Sequence, residues 1–248
     1  MKNNVFSHSQ IQAMADILHN DSFDYQATWL RVGKLSIDRS ITKSRQIGAT
    51  QLFSREALLD ALTTGNNQVW FAHTIEHARV ALMYMNNLSA RVGVRLTSNG
   101  HNLQLDDGAV ISFVGEESHC AALAGNVYLD EFGWFNNPLR AAKVAAAIAS
   151  HKRHNLTMFT TPSDSYAAFR VWNGTTRKCR PSPLINTGDS VFCTDGVWRQ
   201  SVTLDAACQR GCNLFAPEEI KREYSDDDYR LLFGCDWSFA VAAGEVAA

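Results

Sequence analysis

Residues 41–53 read ITKSRQIGATQLF and contain the residue types that bind nucleotide phosphates. A strand that enters a glycine-containing turn and then a helix directs free backbone N–H groups at one place, where the helix dipole adds positive potential. Gly48 allows phosphate to approach the backbone closely. Thr50 occupies the position whose hydroxyl binds Mg²⁺ in a phosphate loop. The chemistry to test first is therefore the binding of ATP and Mg²⁺.

This loop departs from the usual pattern G-x-x-x-x-G-K-[ST] at two positions. Lys43 stands where the first glycine is expected, and Ala49 stands where the lysine is expected. The Lys43 side chain can still fold back over the phosphates, and Arg45 can stabilise charge that develops on the γ-phosphate. Taken alone, the segment fits a helix N-terminus with a solvated lysine and arginine equally well.

The segment VYLDEF, residues 127–132, places two carboxylates at the end of an apolar strand. Ligands of open α/β sheets bind beyond the carboxyl ends of the strands, which is where both residues fall. This is the form of a Walker B element, in which Asp130 holds Mg²⁺ and Glu131 orients and deprotonates the attacking water. The alternative is a strand that leads into an acidic helix cap.

The segment FTTPSD, residues 159–164, brings the hydroxyls of Thr160 and Thr161 to the end of another strand. Such residues can sense the γ-phosphate and pass its loss to a moving part. The alternative is a strand-to-helix turn capped by Ser163 or Asp164. The three motifs follow three predicted strands in the order found in P-loop ATPases with an additional catalytic strand, and that order favours the ATPase interpretation.

Strands and helices alternate from about residue 35 to residue 170, which predicts a mainly parallel sheet flanked by helices. Asp107-Gly108, between alternating apolar and polar residues, indicates a hairpin. Helices are expected at 9–19, 49–63, 74–89 and 138–150, and strands at 68–72, 126–131 and 155–161. Further on we expect polar loops, a strand in VWRQSVTL, three short helices and a frayed tail.

The composition is that of an ordinary globular protein, with 46% hydrophobic residues and a net charge of −2. This charge gives no general argument for nucleic-acid binding, so any basic surface must be local. No apolar run reaches membrane-spanning length, and no membrane partner is expected. The six cysteines lack paired spacing, which favours free thiols in a reducing cytoplasm. The pairs Cys208–Cys212 and His151–His154 form a candidate metal site, but the sequence favours buried thiols and surface histidines instead.

The segments DYQATWL, KSRQIGAT, VYLDEFGWF and TTPS closely resemble the ATPase domain of tailed-bacteriophage terminase large subunits. The type found in temperate contractile-tailed phages is the most similar, and DGVWRQSVTLDAACQRGCNLF extends the resemblance over about residues 24–235. The resemblance implies a RecA-like P-loop NTPase with an additional strand and a catalytic glutamate. It divides the chain into an N-terminal helical segment (1–23), an ATPase core (24–172) and a small C-terminal lid or linker subdomain (173–248).

The resemblance also implies roles for individual residues. It makes Lys43 the phosphate lysine, Arg45 an arginine switch, and Tyr25 with Gln26 an element that reads adenine. The expected catalytic residues are Glu131 and Arg45, and the expected metal ligands are Thr50 and Asp130. The expected ATP-binding residues are Tyr25, Gln26, Lys43, Ser44, Gln46, Ile47, Gly48, Ala49, Thr50, Thr160 and Thr161.

The partners that the resemblance implies are double-stranded DNA, a terminase small subunit, and the portal of a procapsid. A homo-oligomeric ring working in the bacterial host cytoplasm is also implied. The nuclease domain of full-length relatives is expected to be missing, because the sequence ends where that domain should begin. The acidic run Asp226–Asp228 is expected at a helix start rather than at a metal.

Two alternative functions remain open from the sequence. A helicase-like ATPase would need a second RecA-like domain, and no second loop motif is visible. A degenerate, prophage-derived domain could bind nucleotide without turnover, although the Asp130–Glu131 pair argues against it. The basic residues considered for DNA contact are Lys152, Arg153, Arg170, Arg177, Lys178 and Arg180.

Overall fold

The computed structural model describes residues 4–174, 190–193 and 195–246. The helices are α1 (His8–Asn20), α2 (Asp24–Lys34), α3 (Ala49–Thr64), α4 (Ile75–Ala90), α5 (Pro138–Ile148), α6 (Tyr166–Asn173), α7 (Leu204–Gln209), α8 (Pro217–Glu223), α9 (Asp226–Leu232) and α10 (Ser238–Val246). The strands are β1 (Asp38–Lys43), β2 (Gln68–Phe71), β3 (Asn102–Gln104), β4 (Val110–Val114), β5 (Asn126–Asp130), β6 (Leu156–Thr160), β7 (Ser190–Phe192) and β8 (Val197–Val202). A 3-10 turn, Phe132–Trp134, follows β5.

The chain forms two compact units. The first comprises Met1–Ser22, Gly48–Asp130 and Val144–Leu156, and the second comprises Phe23–Ile47, Glu131–Lys143 and Thr157–Ala248. None of the described helices is long and apolar enough to cross a membrane.

In the first unit the strands lie in the order β3-β4-β2-β5. β2 pairs in parallel with β4 and with β5, and β3 pairs antiparallel with β4. The carboxyl ends of β2, β4 and β5 therefore lie at one edge, where Asp130 ends β5. Helices α3 and α4 pack on each other and bury large apolar side chains, among them Phe53, Leu58 and Met85.

In the second unit the strand order is β6-β1-β8-β7. β1 pairs in parallel with β6 and with β8, and β7 pairs antiparallel with β8. The register places Thr42 opposite Thr160 and Lys43 opposite Val202. Lys43 and Thr160 are therefore brought to the same strand edge by the backbone pairing itself.

The predicted mainly parallel arrangement is confirmed, as are the four predicted helices and the hairpin. At the hairpin, Leu103 pairs with Ile111, and the Ala109 N–H donates to the Asp107 side chain at 2.9 Å. Asp226 begins α9 as expected, with Ser225 as the cap whose hydroxyl accepts from the Asp228 N–H at 3.2 Å. The turn after β6 is capped by Ser165, rather than by Ser163 or Asp164.

The expectation of a frayed tail is wrong. Residues 238–246 form α10, and Ala240 is fully buried in a cluster with Ala168 and Trp237. The Trp237 indole donates to the Thr42 hydroxyl at 3.0 Å. The alanine-rich sequence does not predict α10 because its small side chains show little hydrophobic periodicity. The same small side chains let α10 pack closely on α6.

Candidate functional site

Lys43 is the last residue of β1 and is only 4% exposed. Its ammonium forms an ion pair with Glu131 and donates to the Thr161 hydroxyl at 3.0 Å. A buried ammonium is costly unless it is paired and hydrogen-bonded, and both conditions are met here. The structure thus brings together three residues that the sequence predicts from separate motifs.

Glu131 is held by the backbone as well as by Lys43. One carboxylate oxygen accepts from the Thr161 N–H at 2.7 Å and lies 3.3 Å from the Thr160 hydroxyl. The Glu131 backbone is left-handed, with φ 54° and ψ 45°, and its N–H donates to the Phe159 carbonyl at 2.8 Å. A non-glycine residue in this region is strained by about 1–3 kcal/mol, and such strain persists where the surroundings enforce it. We refer to Lys43, Glu131, Thr160 and Thr161 as the Lys43 cluster.

Two hydrogen bonds join the 3-10 turn after Glu131 to residues at and just after the end of β6. The Gly133 N–H donates to the Thr160 hydroxyl at 2.9 Å, and the Ser163 hydroxyl donates to the Gly133 carbonyl at 2.6 Å. A Cβ at Gly133 would lie 2.7 Å from the Thr160 oxygen and 2.9 Å from the Thr161 carbonyl, which is too close for an unshifted side chain. The sequence motifs did not predict a role for Gly133 and placed Ser163 only as an alternative helix cap, although a glycine two residues after Glu131 was a signal for such a role.

The first part of the phosphate loop is anchored through its backbone. The Ser44 N–H donates to the Val202 carbonyl at 2.8 Å, and the Arg45 N–H donates to the Leu232 carbonyl at 3.0 Å. Those two N–H groups are therefore engaged with protein. Among the described residues, none accepts a hydrogen bond from the N–H groups of Gln46 and Ile47. These groups can serve an anion.

The side chains of the loop divide differently from its N–H groups. Ser44 and Ile47 are buried, whereas Arg45 and Gln46 are exposed. Gln46 has φ 59° and is therefore a second strained residue, in the loop between β1 and α3. Arg45 forms no ion pair with any residue that the structure describes, so its charge is available to a ligand or a neighbouring subunit.

Tyr25 and Gln26 lie beneath the loop. The Tyr25 hydroxyl donates to the Ile47 carbonyl at 2.7 Å, and the Gln26 amide donates to the same carbonyl at 3.1 Å. The Gln26 side-chain oxygen accepts from the Phe23 N–H at 3.1 Å, so both ends of the amide are engaged. Burial, and after it the neighbouring Cys212, raises the pKa of Tyr25. Both residues support the loop, and their contact with adenine stays a prediction.

Cys235 lies in the segment that leads from α9 to α10. Its thiol donates to the Val202 carbonyl at 3.2 Å, beside the strand end that carries Lys43. Burial raises the pKa of Cys235 to about 12. The thiol therefore stays protonated at neutral pH and acts as a hydrogen-bond donor.

In the first unit, Thr50 and Asp130 form what we call the Thr50 pair. Gly48 has φ 80°, a left-handed conformation that glycine adopts without strain, and α3 begins at the next residue, Ala49. The Thr50 hydroxyl lies 3.2 and 3.4 Å from the two Asp130 carboxylate oxygens. Asp130 is only 6% exposed.

The Thr50 pair fits Mg²⁺ by the chemistry of its donors. A hydroxyl and a carboxylate are hard oxygen ligands, and Mg²⁺ is usually held by one or two carboxylates together with substrate phosphates and waters. Within the described residues, no group of three or more His, Cys, Asp or Glu could hold a metal ion by itself. Thr50 and Asp130 can thus supply two oxygen ligands to Mg²⁺.

The basic residues considered for DNA contact are only partly described. Lys152, Arg153 and Arg170 are exposed. Arg177, Lys178 and Arg180 lie outside the described residues. Lys152 and Arg153 belong to the first unit, and Arg170, on α6, belongs to the second.

The fold resembles that of a phage protein of known structure. The large terminase of a thermophilic bacteriophage, solved in complex with ADP, superposes with a TM-score of 0.60. The sequences are 14% identical, and the match covers 94% of this chain and 54% of the thermophilic phage protein. At this identity the likeness shows a shared α/β fold.

Two curated relatives match the sequence more closely. The "Terminase, ATPase subunit" of Escherichia phage P2 is 38% identical over 95% of this chain and 42% of the relative. The "Probable terminase, ATPase subunit" of Haemophilus phage HP1 is 34% identical over 87% of this chain and 37% of the relative. This chain therefore spans about two fifths of the length of these relatives.

The family model described as "Terminase large subunit, T4likevirus-type, N-terminal" matches residues 40–244, which is more than half of the chain. The matched segment contains the phosphate loop, the acidic pair and the Thr-Thr-Pro motif. The chain belongs to the family of terminase large subunits.

Proposed function

We propose that this chain hydrolyses ATP and is the motor part of a terminase that moves double-stranded DNA into a procapsid. The observation that carries the proposal is the Lys43 cluster, in which a buried lysine and a strained glutamate lie at one strand edge. The names of the phage P2 and HP1 relatives support the same activity.

ATP is the proposed substrate, and Mg²⁺ is the proposed metal. The terminase of the thermophilic bacteriophage is an example from the same fold that binds ADP. In our proposal the N–H groups of Gln46 and Ile47 bind phosphate together with Lys43. Thr50 and Asp130 hold Mg²⁺, which supplies charge neutralisation on the phosphate oxygens when bound.

Glu131 is the proposed general base. It orients a water molecule for attack on the γ-phosphorus and accepts its proton as the bond to the β-phosphate oxygen breaks. Arg45, whose side chain is exposed, stabilises the charge that develops on the γ-phosphate. Thr160 and Thr161, already in contact with Glu131, sense whether the γ-phosphate is present.

The ion pair between Lys43 and Glu131 suggests how substrate prepares the base. The two charges neutralise each other in the described arrangement. A triphosphate offers Lys43 a more highly charged partner, so we infer that ATP competes for the ammonium. Glu131 would then keep its bonds to the Thr161 N–H and the Thr160 hydroxyl and gain a free carboxylate oxygen for water.

The wider assembly is also part of the proposal. Residues 24–172 would form the ATPase core, with residues 173–248 as a lid or linker. The proposed partners are double-stranded DNA, a terminase small subunit and the portal of a procapsid. Subunits would work as a ring in the bacterial host cytoplasm, and Arg45 could act within its own subunit or on a neighbour.

The experiment is a measurement of phosphate release with and without duplex DNA over a range of protein concentrations. We expect DNA to stimulate hydrolysis, and to do so more at high concentration, where rings can form. The variant Glu131→Gln should lower kcat by about 10²–10⁴ while ATP binding is retained. If this variant and the wild type release phosphate equally slowly, the domain only binds nucleotide. A rate of ATP hydrolysis that DNA does not change at any protein concentration would contradict a translocating motor.

A further inference from the structure

The turn between α5 and β6 carries four consecutive basic or imidazole side chains, His151 to His154, which we call the basic turn. His151, Lys152 and Arg153 are exposed, whereas His154 is only 5% exposed. The rings of His151 and His154 stack with their centroids 5.3 Å apart and their planes 19° from parallel. The basic turn therefore has three exposed side chains around one buried imidazole.

The buried imidazole positions the neighbouring guanidinium. The Arg153 Nε–H donates to His154 Nε2 at 3.1 Å. A ring nitrogen that accepts a hydrogen bond carries no proton, so the His154 proton lies on Nδ1. That nitrogen is buried without a hydrogen-bond partner. Burial, the Arg153 charge and His151 all lower the pKa of His154, which keeps the ring neutral at pH 7.

A neutral partner leaves the arginine charge uncompensated. Two other arginines of the same unit are held differently, since Arg55 and Arg91 both form ion pairs with Asp21. In the part of the chain that the structure describes, neither Lys152 nor Arg153 has an ion pair with a carboxylate. The basic turn thus presents a guanidinium that is hydrogen-bonded to a neutral ring, next to an ammonium, and neither forms an ion pair with a carboxylate of the described residues. Ordered, uncompensated cations are suited to binding an anion.

The basic turn lies away from the nucleotide-binding residues of its own unit. The Asn155 N–H, which follows the turn, donates to the Asn126 side chain at 2.8 Å, at the first residue of β5. Asp130 is the last residue of β5. A strand rises about 3.3 Å per residue, so roughly 13 Å of strand separates Asn126 from Asp130. An anion at the basic turn is therefore not the nucleotide.

We propose that the basic turn binds the phosphate backbone of double-stranded DNA through Lys152 and Arg153, with His154 as the residue that positions Arg153. The inference rests on the proposed function, which supplies DNA as the partner. Duplex DNA carries about one negative charge per 1.7 Å of its axis, so two adjacent cations can meet two phosphates. Because the net charge of the chain is −2, electrostatic attraction to DNA has to come from a local basic patch such as this turn.

The test is the salt dependence of duplex binding, measured on the full chain by fluorescence anisotropy with a short fluorescein-labelled duplex. The variant Lys152→Gln/Arg153→Gln removes both cations. The control Arg79→Gln/Arg95→Gln removes two exposed cations elsewhere in the same unit. The slope of log affinity against log salt should fall in magnitude by about 1.8 in the first variant, at roughly 0.9 per lost phosphate contact. It should stay close to the wild-type slope in the control.

His154 is tested by two further substitutions. His154→Phe keeps an aromatic ring but lacks an acceptor for Arg153, and we expect weaker duplex binding with a slope lowered by at most about 1. His154→Gln supplies an amide oxygen as acceptor and should bind DNA better than the phenylalanine variant. Thermal unfolding of each variant shows whether it is folded. If the two variants bind duplex DNA equally well, His154 does not position Arg153.

Phosphate release without DNA is measured on the same samples. Absence of hydrolysis in the wild type would count against the proposed function, whereas the salt slope tests the basic turn separately. The proposal is overturned if the double variant has the wild-type slope, or if the wild-type chain hydrolyses ATP but binds no duplex. It is also overturned if the double variant keeps its DNA binding and loses binding to polyglutamate, which would assign the turn to an acidic protein.

Discussion

In the second unit, Lys43 and Glu131 form an ion pair and are hydrogen-bonded to Thr160 and Thr161, whereas in the first unit the Thr50 hydroxyl lies near both carboxylate oxygens of Asp130. The distances within the Lys43 cluster include 2.7 Å from the Thr161 N–H to Glu131, 3.0 Å from Lys43 to the Thr161 hydroxyl and 3.3 Å from the Thr160 hydroxyl to Glu131. The Thr50 hydroxyl lies no closer than 3.2 Å to Asp130.

In our proposal the two sets of residues have different tasks. The groups of the Lys43 cluster keep a fixed direction toward the reacting atoms, and the strained backbone of Glu131 is held by its N–H bond to the Phe159 carbonyl of β6. The Thr50 pair offers hard oxygens to an ion that brings its own waters and phosphates. We therefore expect substitutions in the Lys43 cluster to affect kcat, and substitutions in the Thr50 pair to affect the requirement for Mg²⁺.

The largest effect is expected from Lys43→Ala. This change removes the cation that we assign to the phosphates and leaves Glu131 without its ion partner. Loss of one preorganised group that stabilises transition-state charge costs about 10²–10³ in kcat. Phosphate release at saturating ATP measures the effect, and Lys34→Ala, at the exposed end of α2 in the same unit, is the control. Activity within a few-fold of the wild type would show that Lys43 is not the phosphate lysine.

A smaller loss of kcat is expected from Gly133→Ala. The added Cβ would press on the Thr160 hydroxyl and the Thr161 carbonyl, and so displace the turn that follows Glu131. A displacement of about 1 Å at a catalytic group can cost on the order of 10²-fold in rate. We expect kcat to fall with little change in KM for ATP.

Gly115→Ala is the matched control for that prediction. Its Cβ would lie 2.9 Å from the Ile75 nitrogen, a comparable clash located in the first unit. Both variants should lose stability, but only Gly133→Ala should lose most of its kcat. If the two variants lose kcat equally, the loss is caused by general destabilisation. The two units would then not differ in their effect on kcat.

The Thr50 pair should respond to Mg²⁺ concentration. Thr50→Val keeps the shape of the side chain and removes its hydroxyl, so the half-saturating Mg²⁺ concentration for hydrolysis should rise by about tenfold. Thr50→Ser restores the hydroxyl and should restore the wild-type requirement. A Mg²⁺ titration that is the same for valine and threonine would mean that Thr50 acts in some other way.

The sequence predicted the main elements because their signals are local. The alternation of strands and helices, the Asp107-Gly108 turn and the acidic residues at the start of α9 each follow from neighbouring residues. The motif residues Lys43, Glu131 and Thr161 were predicted individually, and the strand register then brought them into contact. Their assignment to ATP stays a prediction.

The contacts that the sequence did not predict join residues distant along the chain. Trp237 bonds to Thr42, 195 positions away. The Arg45 N–H donates to the Leu232 carbonyl, and the hydrogen bond between Ser163 and Gly133 joins residues 30 positions apart. No local pattern encodes such pairs. A periodic signal shows which face of an element is apolar but not which partner covers that face.

The smallest effect is expected from Trp237→Phe, which tests whether α10 supports the Lys43 cluster or only covers it. The substitution keeps a buried ring and removes the hydrogen bond to the Thr42 hydroxyl, next to Lys43. Loss of a buried bond of this kind should lower the free energy of unfolding by about 1–2 kcal/mol, measured by urea denaturation. Trp134→Phe is the control, since Trp134 is 45% exposed and should change stability by no more than about 0.5 kcal/mol. If kcat stays near the wild-type value in Trp237→Phe, the strand pairing and the bonds to Glu131 suffice to position Lys43. A loss of kcat as large as that of Gly133→Ala would instead extend the rigid region from Glu131 to α10, and the Lys43 cluster would then depend on residues almost 200 positions away.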